Sequence, residues 1–207
     1  EVGLSNFHVD EVRRAFDICD EYGLAYPSVY QGLYNPLNRL VEDELLPFLR
    51  ERNCRFVAYN GLAAGLLTGK HRQGEAVLAG RFKNNENYLP RFYTDANFEA
   101  VERIRKACDD AHVDMVAATY AWLLNYSSLT EDDGVLLGAS SVDQLDACLD
   151  ACANLVDLPR NVQDAFDGAW DLTRPGAPFK YWRSYSADMP DRETRDPGAA
   201  YAAAKKK

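Results

Sequence analysis

The chain has 207 residues, enough to bury a sizeable core in one domain. Its 47% hydrophobic and 27% charged content is ordinary for a soluble globular protein, and its net charge of −9 argues against a nucleic-acid partner, because phosphate backbones attract clustered Lys and Arg. The run Lys205-Lys206-Lys207 reads as a solvated tail, and no apolar stretch approaches the length that spans a membrane.

Residues 1–5 read as the end of a buried strand. The chain opens with Glu1 rather than Met, almost inside that strand, so the expectation is the second half of a longer protein. Residues 9–22 predict a helix, with Val12, Ala15, Phe16 and Cys19 at helical spacing, stopped by Gly23. A second strand is expected at 28–31. A second helix is expected at 39–52, with Leu46 and Leu49 inward and a kink at Pro47. A third strand follows at 54–59. From 61 to 94 the pattern breaks into glycines, asparagines and scattered aromatics: Phe82, Tyr88, Phe92 and Tyr93. A loop of that length is functional or mobile, and its composition predicts few apolar contacts.

Residues 97–111 read as a helix with Phe98, Val101, Ile104 and Cys108 on one face, and 115–126 as a helix apolar nearly all round. A fourth strand is expected at 135–137. Ser141 then opens a helix with Gln144 three residues on, the spacing of a capping box, and Leu145, Cys148, Leu149 and Cys152 are placed on its inner face. Pro159 starts a last helix carrying Val162, Ala165, Phe166, Ala169 and Trp170. Disorder is expected from about Asp191 onward.

The five cysteines are Cys19, Cys54, Cys108, Cys148 and Cys152. An odd number without CxxC spacing does not suggest a disulfide framework. A metal site would need further ligands beside Cys148 and Cys152, and His8, His71 and His112 are scattered. Reduced thiols and no signal peptide point to the cytosol.

Four strand-end motifs stand out: Gly3-Leu4-Ser5-Asn6-Phe7, Val29-Tyr30-Gln31-Gly32, Ala58-Tyr59-Asn60-Gly61-Leu62 and Leu137-Gly138-Ala139-Ser140-Ser141. Strands alternating with helices mean a parallel sheet, and functional residues of α/β barrels gather at strand C-termini. The expected fold is α/β: four βα units, the C-terminal half of a (β/α)8 TIM barrel, over residues 1–183, with a tail at 184–207.

These motifs, with Gly65-Leu66-Leu67-Thr68-Gly69-Lys70, Gly80-Arg81-Phe82 and Gln144-Leu145, resemble the aldo-keto reductases, and most closely their aflatoxin-aldehyde reductase branch. The resemblance implies NADPH held across the strand C-termini. Ser5 and Asn6 match the pair that hydrogen-bonds the nicotinamide carboxamide, Gln31 matches the amide that holds the same group, and Tyr59 matches the aromatic that stacks on the ring. Asn60, Leu62, Ala64 and Gly65 match the loop around the pyrophosphate, and Lys70 and Arg81 supply cations for it. Ala139, Ser140 and Ser141 match the site of the adenosine 2′-phosphate, with Gln144 reaching that phosphate or the adenine while it caps the helix. Arg183 resembles an arginine that contacts acidic groups on aldehyde substrates; a plain surface arginine is the alternative.

Two positions depart from the pattern: Cys148, after Ala147, stands where asparagine is frequent, and Gly61 stands where proline is usual. The family's catalytic Asp, Tyr, Lys and His belong to earlier strands, so no catalytic residue is expected in this chain, and Tyr30, Tyr34 and Lys70 are not substitutes. The resemblance therefore implies an NADP-dependent oxidoreductase reducing aldehydes or ketones, with a small-molecule carbonyl substrate and this chain alone inactive; charge and apolar-run length argue against nucleic-acid and membrane partners, and a homodimer is one assembly left open. The alternatives are a non-catalytic half-barrel acting as a subunit or binding module, and a channel-associated regulatory subunit.

Overall fold

The computed structural model describes residues 1–75, 82 and 89–177. Four strands pair in chain order, all parallel: β1 (Gly3–Ser5), β2 (Val29–Leu33), β3 (Arg55–Tyr59) and β4 (Gly134–Val135). Among the described residues the number and order of strands are as expected, with β2 running on to Leu33 and β4 reduced to two residues. The register aligns Ser5 with Gln31 and Gln31 with Val57, and sets Leu33 beside Tyr59.

Side chains alternate across a strand, and the two faces of this sheet differ in cover, except that Leu33 on the more open face is buried. Tyr30, Phe56 and Ala58 are fully buried beneath the helices. On the other face Ser5 is exposed, and Gln31, Val57 and Tyr59 are half-buried. Gly32 lies between the stacked rings of Tyr30 and Phe56, and a Cβ there would come within 2.7 Å of Phe56.

The helices lie on the buried face. α1 (Val9–Tyr22) buries Val12, Phe16 and Cys19, starts at a capping box between His8 and Glu11, and ends at Gly23, whose φ of 63° only a residue free of Cβ strain adopts cheaply. The helix expected at 39–52 is two pieces, a 3-10 turn (Leu40–Glu42) and α2 (Leu45–Glu51). Pro47 does not kink a helix; it sits in the first turn of α2, where a missing N–H removes no intrahelical bond.

α3 (Leu89–Phe92) leads into α4 (Asp95–Asp110), which is capped by Thr94 and packs along α7 (Arg160–Thr173). α5 (Met115–Ala121) continues into a π-helical turn, Trp122–Tyr126. α6 (Val142–Ala153) departs from expectation. Cys148 is buried, but Leu145 is 38% and Leu149 49% exposed, because α6 lies beyond the edge strand β4 and packs mainly on α5.

The segment after β3 is better packed than its composition suggests. A 3-10 stretch (Ala63–Thr68) buries Ala63, Leu66 and Leu67, and Phe82 is buried against His71, Phe92 and Tyr93. The expectation of few apolar contacts there is wrong for the described residues, since these side chains pack on one another and on the core.

One buried side chain reinforces the main-chain pairing of β4 with β3. Asp133, 1% exposed, accepts hydrogen bonds from Phe56 N at 2.8 Å, Thr130 N at 2.8 Å, Thr130 Oγ1 at 3.1 Å and Arg50 Nη1 at 2.9 Å. It ties the start of β4 to β3 and to α2. All five cysteines are free; Cys152 is half-buried and the others buried, and burial pushes the Cys54 and Cys108 thiols up to about 11. Among the described residues no helix is long and apolar enough to cross a membrane, and no three or more His, Cys, Asp or Glu side chains gather as metal ligands. The tail at 184–207 lies outside the described residues.

Candidate cofactor site

Three clusters meet the open face or the C-terminal ends of the strands. The first joins Ser5, Asn6, Gln31 and Tyr59. Ser5 and Gln31 share a register row and a face. Tyr59, on the strand beyond, donates its hydroxyl to Asn6 Oδ1 at 2.8 Å, so a side chain from β3 reaches over β2 to the end of β1. Asn6 has φ 61°, a left-handed conformation that Asn tolerates better than most residues. From the buried face, Tyr30 Oη donates to Phe7 O at 2.7 Å and fixes the backbone beside Asn6.

The second cluster follows Tyr59 in the chain. Asn60 has φ 56°, and its carbonyl accepts from Asn35 Nδ2 at 3.0 Å. Asn35 is fully buried and its Oδ1 accepts from Leu37 N at 2.9 Å, an Asx turn before which the chain already holds its β2 register. Ala63, Ala64 and Gly65 then take φ values of 48°, 59° and 108° in succession. Left-handed alanine costs roughly 1–2 kcal/mol per residue and persists only where the surroundings over-determine it. Here buried Leu66 and Leu67 anchor one side, and Thr68 Oγ1 donates to Gly65 O at 2.7 Å. A Cβ on Gly65 would meet nothing nearer than His71 Nε2 at 3.9 Å, so the backbone at this bend is approachable. Leu62 and Ala64 are half-buried. Lys70 is exposed and no carboxylate pairs with it among the described residues. Burial, and then the Lys70 charge, lower the pKa of His71, which favours its neutral form.

The third cluster is the start of α6. Ser141 caps the helix, its Oγ accepting from Gln144 N at 3.3 Å. The returning arm of the expected capping box goes elsewhere: Gln144 Oε1 accepts from Ser140 N at 3.1 Å and Ser140 Oγ at 2.9 Å, not from the Ser141 backbone. Ala139, Ser140, Ser141 and Gln144 are all exposed. One turn on, Cys148 is buried near Tyr120, whose pKa is raised by burial and then by the Cys148 thiol.

Arg81 and Arg183 lie outside the described residues. Tyr34 is fully buried, donating to Glu42 and accepting from Ser128 N at 3.0 Å, on the opposite side of the sheet from Ser5 and Gln31. Asn35, His71 and Asp133 carry structural roles that composition did not single out. Asn35-Pro36 was the one readable signal, since Asn before Pro favours turn initiation.

The profile described as "Aldo/keto reductase family" matches residues 1–171. The chain belongs to the aldo/keto reductase family. The family's fold is a TIM barrel, and the parallel, helix-backed sheet of this aldo/keto reductase chain is consistent with it. It is 40% identical over 195 residues to aflatoxin B1 aldehyde reductase member 2 of Mus musculus, covering 88% of this chain and 53% of that relative. It is 39% identical over 195 residues to aldo-keto reductase family 7 member A3 of Homo sapiens, with 88% and 58% covered. With oxidoreductase sirO of Leptosphaeria maculans it shares 31% over 182 residues, with 85% and 55% covered. The chain spans about half the length of the curated relatives it matches.

Proposed function

We propose that this chain is the cofactor-holding half of an NADP-dependent oxidoreductase that reduces aldehydes or ketones to alcohols. Its four strands are read as half of an eight-stranded barrel, spanning residues 1–183, with the proton donor outside the chain. The observation that carries this reading is the cluster of Ser5, Asn6, Gln31 and Tyr59 on the uncovered face, a hydroxyl, two amides and an aromatic ring with no paired acid and base among them.

The donor set fits a nicotinamide dinucleotide. A carboxamide both donates and accepts, which suits Ser5, Asn6 and Gln31, and a flat ring suits the face of Tyr59. The bend at Ala63, Ala64 and Gly65 offers backbone to a pyrophosphate with little side chain in the way. Asn60 and Leu62 lead into that bend, and Lys70, with Arg81, adds positive charge. The start of α6 presents the N–H groups and hydroxyls of Ala139, Ser140 and Ser141 to a 2′-phosphate. Because Gln144 Oε1 already holds the Ser140 donors, an arriving phosphate exchanges with it. Bound there, NADPH supplies a hydride to a carbonyl carbon. This chain's residues orient the ring and hold the phosphates, and Arg183 contacts acidic groups on the substrate.

The test is titration of the chain with NADPH and NADH, followed by quenching of tryptophan fluorescence, together with a carbonyl-reduction assay. We expect saturable binding that prefers NADPH, and no turnover of a model aldehyde by this chain alone. No binding of either nucleotide overturns the reading. The second reading, a non-catalytic half-barrel serving as a binding module or as one half of a homodimer, is favoured by exposed apolar side chains at both outer strands, Val2 and Phe7 beside β1, Leu136 and Val142 beside β4. A cytosolic location is proposed from the free thiols.

A further inference from the structure

Two thiols share one face of α6. Cys148 and Cys152 stand four residues apart inside an uninterrupted helix, Val142–Ala153, which packs mainly on α5. Cys148 is buried and Cys152 is half-buried against the same core. They are electrostatic neighbours: burial and then the Cys148 charge raise the pKa of Cys152, and both thiols add to the burial that raises the pKa of Tyr120 on α5. Helical spacing decides what such a pair can take. Residues four apart on a helix hold their Cβ atoms about 5–6 Å apart, whereas a disulfide requires about 3.5–4.5 Å. A direct S–S bond therefore deforms the helix. One inserted atom bonded to both sulfurs closes the gap with the helix intact. That atom must be soft, because thiol sulfur selects soft partners. It must also need only two protein ligands, because no third His, Cys, Asp or Glu joins the pair among the described residues.

We infer that Cys148 and Cys152 form a dithiol site that captures a trivalent arsenical across one face of α6. The step is a condensation with no change of oxidation state. In phenylarsine oxide, arsenic carries one phenyl group and one oxygen. Each thiol gives its proton to that oxygen, two As–S bonds replace the bonding to oxygen, and one water leaves. Arsenic remains trivalent, with phenyl as its third substituent. Cys152 is the more open sulfur and bonds first. The second bond is then intramolecular, which strengthens capture by roughly 10²–10⁴ over a single thiol. Leu145 and Leu149 flank the pair at helical spacing and are exposed, so the phenyl ring has an apolar surface to lie on. The site does not depend on the cofactor reading above.

The test treats the full, reduced chain with one equivalent of phenylarsine oxide. Intact mass measurement should show a single adduct. It should survive excess glutathione, which offers one thiol, and be released by dithiothreitol, which competes for both bonds. Alkylation of the denatured adduct should label three of the five cysteines, and peptide mapping should find the two unlabelled ones at Cys148 and Cys152. Cys148→Ser and Cys152→Ser should each bind the arsenical roughly a hundredfold more weakly and lose it to glutathione. The mapping uses the unaltered chain, so it decides the matter even where a variant fails to fold. No adduct, an adduct on the other cysteines, one that leaves four thiols free, or parent affinity in either variant overturns the assignment. Treated instead with the thiol oxidant diamide, the folded chain should form no Cys148–Cys152 disulfide. Formation of that disulfide overturns the spacing argument on which the site rests.

Discussion

Replacing Asp133 by alanine tests how the edge of the sheet is held. The carboxylate is 1% exposed and receives donors from β3, from its own turn and from Arg50. Burial pushes its pKa up, but the bonds from Arg50, Thr130 N and Phe56 N outweigh burial and hold it below the usual carboxylate value. Removing it leaves the Phe56 N–H without its acceptor and Arg50, 32% exposed, without its carboxylate and with only the Ser128 carbonyl at 3.3 Å. An unsatisfied buried donor costs about 1–3 kcal/mol, and breaking a buried ion pair about 3–5 kcal/mol. Because water reaches Arg50, the lower part of that range applies, and we expect Asp133→Ala to cost about 3 kcal/mol at neutral pH. Urea denaturation of both proteins, repeated from pH 7 downward, measures it. A carboxylate whose folded pKa is depressed contributes stability that is fully present above its unfolded value of about 3.9 and is lost as pH falls through the folded value. The difference between the proteins should therefore shrink below about pH 4. A loss under about 1 kcal/mol, or one independent of pH, refutes the reasoning.

Three further outcomes follow from the geometry. Tyr34→Phe should destabilise the chain by about 1–3 kcal/mol, since Ser128 N and Glu42 lose a buried partner, and leave NADPH affinity unchanged in a fluorescence titration. Ser140→Asp should weaken NADPH by on the order of 1–3 kcal/mol and NADH hardly at all, through like-charge repulsion at the start of α6; an unchanged NADPH dissociation constant counts against that phosphate site. Amide hydrogen exchange should show Leu66 and Leu67 protected with and without NADPH, because their side chains are already buried; protection that appears only with cofactor would mean this segment closes as a clamp.

Periodicity located α1, α4 and α7 to within two residues, because each has a continuous buried stripe and, for α1 and α4, a polar cap residue. The site motifs at Ser5, Gln31 and Tyr59 were legible for a related reason: strand ends are short and bounded by turn residues. What periodicity cannot show is whether a partner exists to cover a stripe, and Leu145 and Leu149 are apolar at helical spacing yet exposed. Nor can composition reveal left-handed alanine. Ala63 and Ala64 disfavour that conformation, and it is imposed by the burial of residues on either side. Asp133 was invisible because its donors come from positions distant in the chain, Arg50 and Phe56. Gln144 shows a subtler limit: spacing announced a side chain folded back on the helix start, but not which of two adjacent serines it would choose.

The five free thiols form a built-in set of clocks. A thiol whose pKa stands at about 11, as at Cys54 and Cys108, is ionised in only about one molecule in ten thousand at pH 7, and a buried sulfur reacts with a disulfide reagent only when its surroundings open. Cys19 reports on α1, Cys54 on the entry to β3, Cys108 on α4, and Cys148 and Cys152 on α6, so each region carries its own probe without any label being introduced. With α6 the least covered of these helices, Cys152 should be modified first and Cys54 among the last. The order in which the five react would rank, in the unaltered protein, how often each part of the fold comes apart.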